Sequence, residues 1–308
     1  MPADLALMTP PRGNLRRADA LSANSLRQAL SNAHRQRRPL VMGVLNVTPD
    51  SFSDGGAYAA TEAAVAHALA MHHAGAAIID VGGESTRPGA EPVATEEELE
   101  RVMPVIEALR PQTNAYISVD TTKPEVMAQA VQAGADLVND VNALRAPGAV
   151  DAVARAGVPA VLMHMRGDPK TMQTNPGYDD VVDEVQAFLL ERVDACQTAG
   201  IEPSSIVLDP GFGFGKTLGH NVALLKQLGA LCELGFPVLA GLSRKSMLGA
   251  ITGRQAPDQR VSASVAAALM AAQAGASILR VHDVDETMDA LKVWFALGDE
   301  VPIGHAQG

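Results

Sequence analysis

Residues 61–82, TEAAVAHALAMHHAGAAIIDVG, contain the pattern that decides the fold. The first part, 61–74, is an Ala-rich amphipathic stretch that predicts a helix. Glycine often closes helices because it accepts a left-handed backbone, so Ala-Gly-Ala at 74–76 marks the helix end. Residues 76–82 are a nearly continuous apolar run, which is typical of a strand covered on both faces. The stretch therefore predicts a helix followed directly by a buried strand.

The same arrangement recurs from residue 40 onward, and Ala-Gly-Ala returns at 133–135 and 274–276. The predicted strands are 40–47, 76–82, 115–120, 136–141, 159–165, 206–209, 237–242 and 277–282. Predicted helices lie between them at 61–74, 95–110, 123–133, 147–156, 180–199, 220–234, 245–252 with 259–274, and 285–297. Eight evenly spaced units predict an α/β fold, a (β/α)8 TIM barrel in one domain, rather than a doubly wound open sheet. Thr95 and Glu98 have the spacing of a capping box for the second of these helices.

The charge is distributed unevenly along the 308 residues. The net charge is −11, but residues 1–39 hold seven arginines and two aspartates, a net of +5. We predict a basic N-terminal extension at 1–39, the catalytic barrel domain at 40–300 and a C-terminal tail at 301–308. With two acids and few serines, the extension resembles a plain cytoplasmic segment more than a transit peptide.

Composition excludes several classes of function. An acidic chain with 3% aromatic residues is not expected to bind nucleic acid or an anionic membrane. No uncharged apolar run has the composition of a membrane span. Cys196 and Cys232 cannot form a disulfide framework, so we expect both to be reduced and the protein to be cytoplasmic.

Polar or polarisable side chains end all eight predicted strands. In a barrel these ends meet on one rim, where active sites lie. Such convergence is hard to explain by stability alone and predicts a binding site. The groups are Asn46; Glu84, Ser85, Thr86 and Arg87; Asp120; Asn139 and Asp140; Met163, His164 and Met165; Asp209; Ser243, Arg244 and Lys245; and Arg280 and His282.

The types of these residues indicate their chemistry. Arg280 and His282 are two residues apart, share a strand face and predict an anion site near the usual phosphate region of such barrels. Asp120 and Asp209 suit a heterocycle that offers an amine beside a ring N–H. Lys245 follows the seventh strand and can reach over the cavity.

The run GFGFGKT at 211–217 is not a phosphate-binding P-loop, because Pro210 occupies the position of the first required glycine. We expect its glycines to turn the chain beside the ligand and present Phe212 or Phe214, with Lys216 as a surface charge. Met163 can pack either in the core or on a flat ring.

Several segments together resemble the dihydropteroate synthase family over residues 41–284, in order and with matching spacing. The two most specific are MGVLNVTPDSFSDGG at 42–56 and IDVGGESTRPG at 79–89. The others are SVDT at 118–121, VNDV at 138–141, LMHM at 162–165, LDPGFGFGK at 208–216, SRKS at 243–246 and RVHD at 280–283.

The resemblance implies a transferase of folate biosynthesis. This family condenses 6-hydroxymethyl-7,8-dihydropterin pyrophosphate with 4-aminobenzoate, and it releases 7,8-dihydropteroate and pyrophosphate. It further implies Mg²⁺ as cofactor, a homodimer and a sulfonamide target. The helix with Trp294 and Phe295 can supply the dimer interface or simply pack on the barrel.

Site roles are carried over from the resemblance by position. The pterin residues are Asp120, Asn139, Met163, Asp209, Gly241 and Lys245. The pyrophosphate residues are Asn46, Thr86, Arg87, Arg280 and His282, with Mg²⁺ near Asn46. The 4-aminobenzoate residues are Phe52, Pro88, Phe214, Lys245 and Ser246. The residues assigned to catalysis are Asp50, Asp120, Lys245, Arg280 and His282.

Two other functions are compatible with a pterin-binding barrel. A methyltetrahydrofolate methyltransferase would share the strand-end Asp and Asn, but it would not need the pyrophosphate residues. A non-catalytic paralogue would bind pterin without turnover.

Overall fold

The computed structural model describes residues 23–47, 56–85, 89–167, 172 and 176–298. Within these residues, eight parallel strands alternate with helices. The strands are β1 (Leu40–Asn46), β2 (Ile78–Gly82), β3 (Tyr116–Asp120), β4 (Leu137–Asp140), β5 (Ala160–Met163), β6 (Ile206–Asp209), β7 (Leu239–Ala240) and β8 (Ile278–Val281). All eight predicted strands are confirmed, and each observed strand lies within its predicted limits.

The described part of the chain also contains eleven α-helices. They are α1 (Ala23–Gln36), α2 (Gly56–Ala74), α3 (Thr95–Leu109), α4 (Pro124–Ala133), α5 (Ala149–Ala156), α6 (Val181–Thr198), α7 (Leu218–Lys226), α8 (Leu228–Cys232), α9 (Ser246–Thr252), α10 (Val261–Ala274) and α11 (Val284–Gly298). Short 3₁₀ turns occur at Arg110–Gln112, Pro203–Ser205 and Pro257–Arg260.

The sheet closes on itself. Its strand order is β6-β5-β4-β3-β2-β1-β8-β7, and a parallel bridge between Leu208 and Val238 joins β6 to the residue just before β7. The structure is thus the predicted (β/α)8 barrel, with its main core between the strands and the surrounding helices.

Helix α1 covers the N-terminal end of the barrel. Leu26 and Leu30 are fully buried and pack in a cluster to which every strand contributes one side chain. Those eight are Met42, Ile78, Tyr116, Leu137, Val161, Val207, Leu239 and Ile278. The Arg27 side chain donates to Ser205 Oγ at 2.6 Å and to the Gly157 carbonyl at 2.7 Å. The sequence-based reading placed no helix here, in the segment predicted as an extension.

Two details of the helix prediction were wrong. Ala94, not Thr95, precedes α3 as its N-cap and makes no side-chain cap bond. Glu98 is fully buried and accepts a hydrogen bond from Lys123 Nζ, so its carboxylate serves an ion pair instead of a capping box. The single helix predicted over 220–234 is two helices, α7 and α8, which meet at Gln227.

No helix in the described ranges is long and apolar enough to cross a membrane.

Candidate active site

Arg280 bonds to side chains of two other strands inside the C-terminal end of the barrel, and a third strand joins them through Asp80. Its Nε donates to Asp80 Oδ2 at 2.6 Å and its Nη2 to Asp120 Oδ2 at 2.7 Å. Asn139 Nδ2 also donates to Asp80 Oδ2, at 3.0 Å. Strands β8, β2, β3 and β4 therefore meet in one polar network. Among the described residues Arg280 bonds only through Nε and Nη2, so its Nη1 donors can serve a ligand.

Asp80 is a functional candidate that the sequence-based prediction missed. It is fully buried and anchors both Arg280 and Asn139. The prediction considered only residues at strand ends, whereas Asp80 lies within β2. A charged residue inside the apolar run Ile78–Gly82 was the available signal, because a buried aspartate needs partners.

Asp120 combines burial with an oxygen that lacks a protein partner. Its Oδ1 is buried and makes no hydrogen bond within the described residues, and the same holds for Asp80 Oδ1 and Ser118 Oγ. Burial raises the pKa of Asp120 to about 7; Arg280 opposes this shift and the charge of Asp80 adds to it. Unpaired buried acceptors are costly, so these oxygens fit a ligand that donates hydrogen bonds.

Asp209 stands where β6 turns into the glycine-rich loop. Its Oδ1 accepts from the Gly211 N–H at 2.7 Å. Gly211 has φ +67°, and a Cβ there would lie 1.9 Å from the His164 carbonyl oxygen, so only glycine fits. Burial raises the pKa of Asp209, with Lys245 the largest opposing charge.

Lys245 lies over the same loop. Its Nζ donates to the Phe212 carbonyl and is 4.5 Å from the centre of the Phe214 ring. Burial lowers the pKa of Lys245 to about 8, while Asp209 opposes the shift and Arg280 adds to it. The charges of Asp209, Lys245 and Arg280 thus act on one another, which indicates that the three side chains lie near each other.

The prediction that Lys216 is a surface charge was wrong. Lys216 is buried, and its Nζ donates to the carbonyls of Gly211 at 2.9 Å and Phe214 at 3.0 Å. It also lies 2.8 Å from His164 Nδ1. Burial lowers the pKa of Lys216 to about 7 and that of His164 to about 3. Lys216 therefore stabilises the glycine-rich loop by bonding to two of its carbonyls.

The loop presents only one of its two phenylalanines. Phe212 is fully buried in the main core, whereas Phe214 is half-buried beside Met163 and near Lys245. Met163 is buried in a small cluster with Val141, Met165 and Met172, which places it both in apolar packing and at the rim.

The remaining described candidates also lie at the rim. The N–H of His282 donates to Ser243 Oγ at 3.1 Å, and its Nδ1 is 3.0 Å from the same oxygen. A Cβ on Gly241 would lie 4.0 Å from that of Arg280. Asn46 ends β1 and Ser246 begins α9, and both are exposed. Asp50, Phe52, Thr86, Arg87 and Pro88 lie outside the described residues.

Comparison with known proteins assigns the class. A family model described as pterin binding enzyme matches residues 42–282. Dihydropteroate synthase of Escherichia coli (strain K12) is 53% identical over 255 residues, which are 83% of this chain and 90% of that protein. Dihydropteroate synthase of Neisseria meningitidis serogroup B is 52% identical over 267 residues, 85% of this chain and 93% of that protein.

Solved structures of dihydropteroate synthases are also similar to this chain. Xanthomonas albilineans dihydropteroate synthase with 4-aminobenzoic acid is 61% identical, with a TM-score of 0.82 over 86% of this chain and 94% of that chain. The same enzyme in complex with 7,8-dihydropteroate is 58% identical, with a TM-score of 0.78 over 86% and 95%. The chain belongs to the dihydropteroate synthase family of pterin-binding enzymes.

Proposed function

We propose that the chain is a transferase that condenses 6-hydroxymethyl-7,8-dihydropterin pyrophosphate with 4-aminobenzoate, releasing 7,8-dihydropteroate and pyrophosphate in folate synthesis. The observation that carries the proposal is the rim of the barrel. There, buried carboxylates whose oxygens lack a partner among the described residues lie beside Arg280, in a chain about half identical to dihydropteroate synthases.

The pterin ring is assigned to the carboxylate side of the rim. The 2-amino group and the adjacent ring N–H are two parallel donors, which match a carboxylate such as Asp209. Asp120 Oδ1 and the Asn139 side chain would bind other polar atoms of the ring, and Met163 would pack on its face. Lys245 would lie above the ring, between Asp209 and the aminobenzoate.

The pyrophosphate is assigned to Asn46, Arg280 and His282, with Thr86 and Arg87 from the loop after β2. Nη1 of Arg280, which makes no hydrogen bond to the described part of the chain, can donate to phosphate oxygens while Nε and Nη2 stay on Asp80 and Asp120. Cationic donors stabilise the negative charge that builds up as the CH₂–O bond breaks.

Mg²⁺ fits this end of the site. Asn46 offers one exposed amide oxygen, and in the described part of the chain no cluster of His, Cys, Asp or Glu could form a metal cage by itself. Mg²⁺ is commonly held by one or two protein ligands together with substrate phosphates. When bound, it would neutralise charge on the leaving pyrophosphate.

The second substrate completes the exchange. After the CH₂–O bond breaks, positive charge is delocalised over the pterin, and the ionised Asp120 would stabilise that charge. The amine of 4-aminobenzoate forms the new C–N bond and loses a proton. Phe52, Pro88, Phe214, Lys245 and Ser246 would form the walls of its site, and Asp50 would act in the loop after β1.

Assembly, location and inhibition are proposed from the same resemblance. We propose a cytoplasmic homodimer that binds sulfonamides in the 4-aminobenzoate site. Trp294 and Phe295 pack partly on the barrel core, while Val293 and Leu297 on the same helix are exposed. Sedimentation of the purified chain tests the dimer, and competition by a sulfonamide against 4-aminobenzoate tests the inhibitor site.

The reaction is tested by mixing the chain with Mg²⁺ and both substrates and following both products. We expect pyrophosphate and dihydropteroate in equal amounts, each dependent on both substrates, and loss of turnover with a magnesium chelator. Tight pterin binding without release of pyrophosphate would instead favour the non-catalytic paralogue.

A further inference from the structure

The turn between β7 and α9 holds one residue in an unfavourable backbone conformation. The Lys245 N–H donates to the Leu242 carbonyl at 3.3 Å, which closes a four-residue turn. Its third residue, Arg244, has φ 59°. Turns with a positive φ at this position favour glycine, and other residues adopt it at an energetic cost. Such strain persists only where the surroundings over-determine it.

Both the backbone and the side chain of Arg244 are held. Its N–H donates to Ser264 Oγ at 2.8 Å, and its carbonyl accepts from Arg260 Nη1 at 2.8 Å. Its guanidinium reaches the two carboxylate oxygens of the buried Asp283, through Nε at 3.1 Å and through Nη2. A bidentate pair fixes orientation as well as charge.

This pair joins two strand ends where the backbone ladder has already stopped. The paired residues of β7 and β8 end at Ala240 and Leu279. Beyond that point the two segments are joined by Ser243 with His282, and by Arg244 with Asp283. Arg244 directly precedes Lys245, and Asp283 directly follows His282.

We propose that Arg244 is a positioning residue, clamped by Asp283, that sets Lys245 against His282. This inference rests on the proposed function, in which Lys245 binds the organic substrates and His282 the departing pyrophosphate. In that assignment, the bond that breaks would lie between the groups held by Lys245 and by His282. Small displacements of groups around a reacting bond slow a reaction strongly, by roughly a hundredfold for about 1 Å.

Three single variants separate the clamp from the strained backbone. Arg244→Gly removes the guanidinium and suits the left-handed backbone. Arg244→Ala removes the guanidinium and places there a residue that adopts this backbone only at a cost. Asp283→Asn removes the carboxylate that pairs with Arg244. We expect kcat at saturating substrates to fall roughly ten- to a hundredfold in Arg244→Gly and in Asp283→Asn. Arg244→Ala should be no more active than Arg244→Gly. The exposed Arg254, between α9 and α10, gives the control Arg254→Ala, which should keep wild-type kcat.

The double variant Arg244→Gly with Asp283→Asn supplies the decisive comparison. Clamped residues act as a unit, so its kcat should be no lower than that of the poorer single variant. Additive losses, or wild-type kcat in Asp283→Asn, would overturn the clamp. A lower Tm with unchanged kcat would show a merely structural pair and would overturn it too.

The clamp and the proposed function fail in different ways. A wild-type chain that makes no dihydropteroate refutes the function, and calorimetry with inorganic pyrophosphate then still tests the clamp. Binding about tenfold weaker in Arg244→Gly than in wild type would support the clamp, because a displaced His282 contacts the anion poorly. Equal binding would refute it.

Discussion

At the N-terminal end of the barrel, one apolar side chain from each strand packs under α1. At the C-terminal end, carboxylates, amides and a cation lie at or next to strand ends, several of them buried. The first arrangement stabilises the fold with no special chemistry. The second leaves buried oxygens without a partner in the described ranges and raises the pKa of Asp120, which is unfavourable for stability and useful for binding. The same eight strands thus divide stability and function between their two ends.

The largest expected effect is at the rim, in Asp209→Asn. The amide presents a donor where the ring also donates, so transition-state stabilisation should fall by about 2–4 kcal/mol. That corresponds to a loss in kcat/KM of roughly thirty- to a thousandfold. Steady-state kinetics measure it. Near wild-type kcat/KM would refute the assignment of Asp209 to the pterin.

The corresponding change at the N-terminal end of the barrel is Leu30→Ala. Deleting a fully buried leucine should lower the free energy of unfolding by about 3 kcal/mol. Urea titration measures this, with Leu190→Ala on the exposed face of α6 as the control. We expect kcat/KM of the folded variant to stay within about twofold of wild type, because the site is at the other end. A large loss of kcat/KM would show that the two ends are not independent.

Most of the N-terminal end of the barrel and part of the rim could be predicted from the sequence. Apolar runs and glycine stops locate all eight strands, because buried parallel strands tolerate few polar residues. Helix α1 was missed, although Leu26, Leu30 and Ala33 have helical spacing, because the arginine-rich composition of 1–39 masks that stripe. The burial of Lys216 could not be foreseen, since it depends on loop carbonyls brought together only by folding.

Lys216 lies at the rim, but its role is structural. Lys216→Met leaves the buried carbonyls of Gly211 and Phe214 without their donor, so we expect a loss of about 1–3 kcal/mol in unfolding free energy. Thermal and urea unfolding measure this loss. Lys226→Met, at an exposed lysine that ends α7, should change stability by less than about 0.5 kcal/mol. Equal stability of the two variants would contradict the role given to Lys216.

The smallest expected effect is a shift in pH dependence. The pKa of Asp120 is raised to about 7 and its ionised form is the stabilising one, so kcat/KM should rise with pH and level off above about 7. Asp80→Asn removes a nearby negative charge, which lowers the pKa of Asp120 and moves this rise to lower pH. The pH profile of kcat/KM measures the shift. The control variant Asp151→Asn, at an exposed aspartate, should have the same profile as wild type. If the rise of kcat/KM occurs at the same pH in Asp80→Asn as in wild type, the rise does not report the ionisation of Asp120.

The proposed rim holds the ring and the pyrophosphate with different residues. Calorimetry on Arg280→Ala tests it most directly, using 6-hydroxymethyl-7,8-dihydropterin and its pyrophosphate ester. Removing Arg280 also leaves Asp80 and Asp120 without their cation, and their negative charge adds to the loss expected for the anionic ester. We expect the pyrophosphate ester to lose clearly more affinity than the alcohol. Equal losses for the two ligands would contradict it.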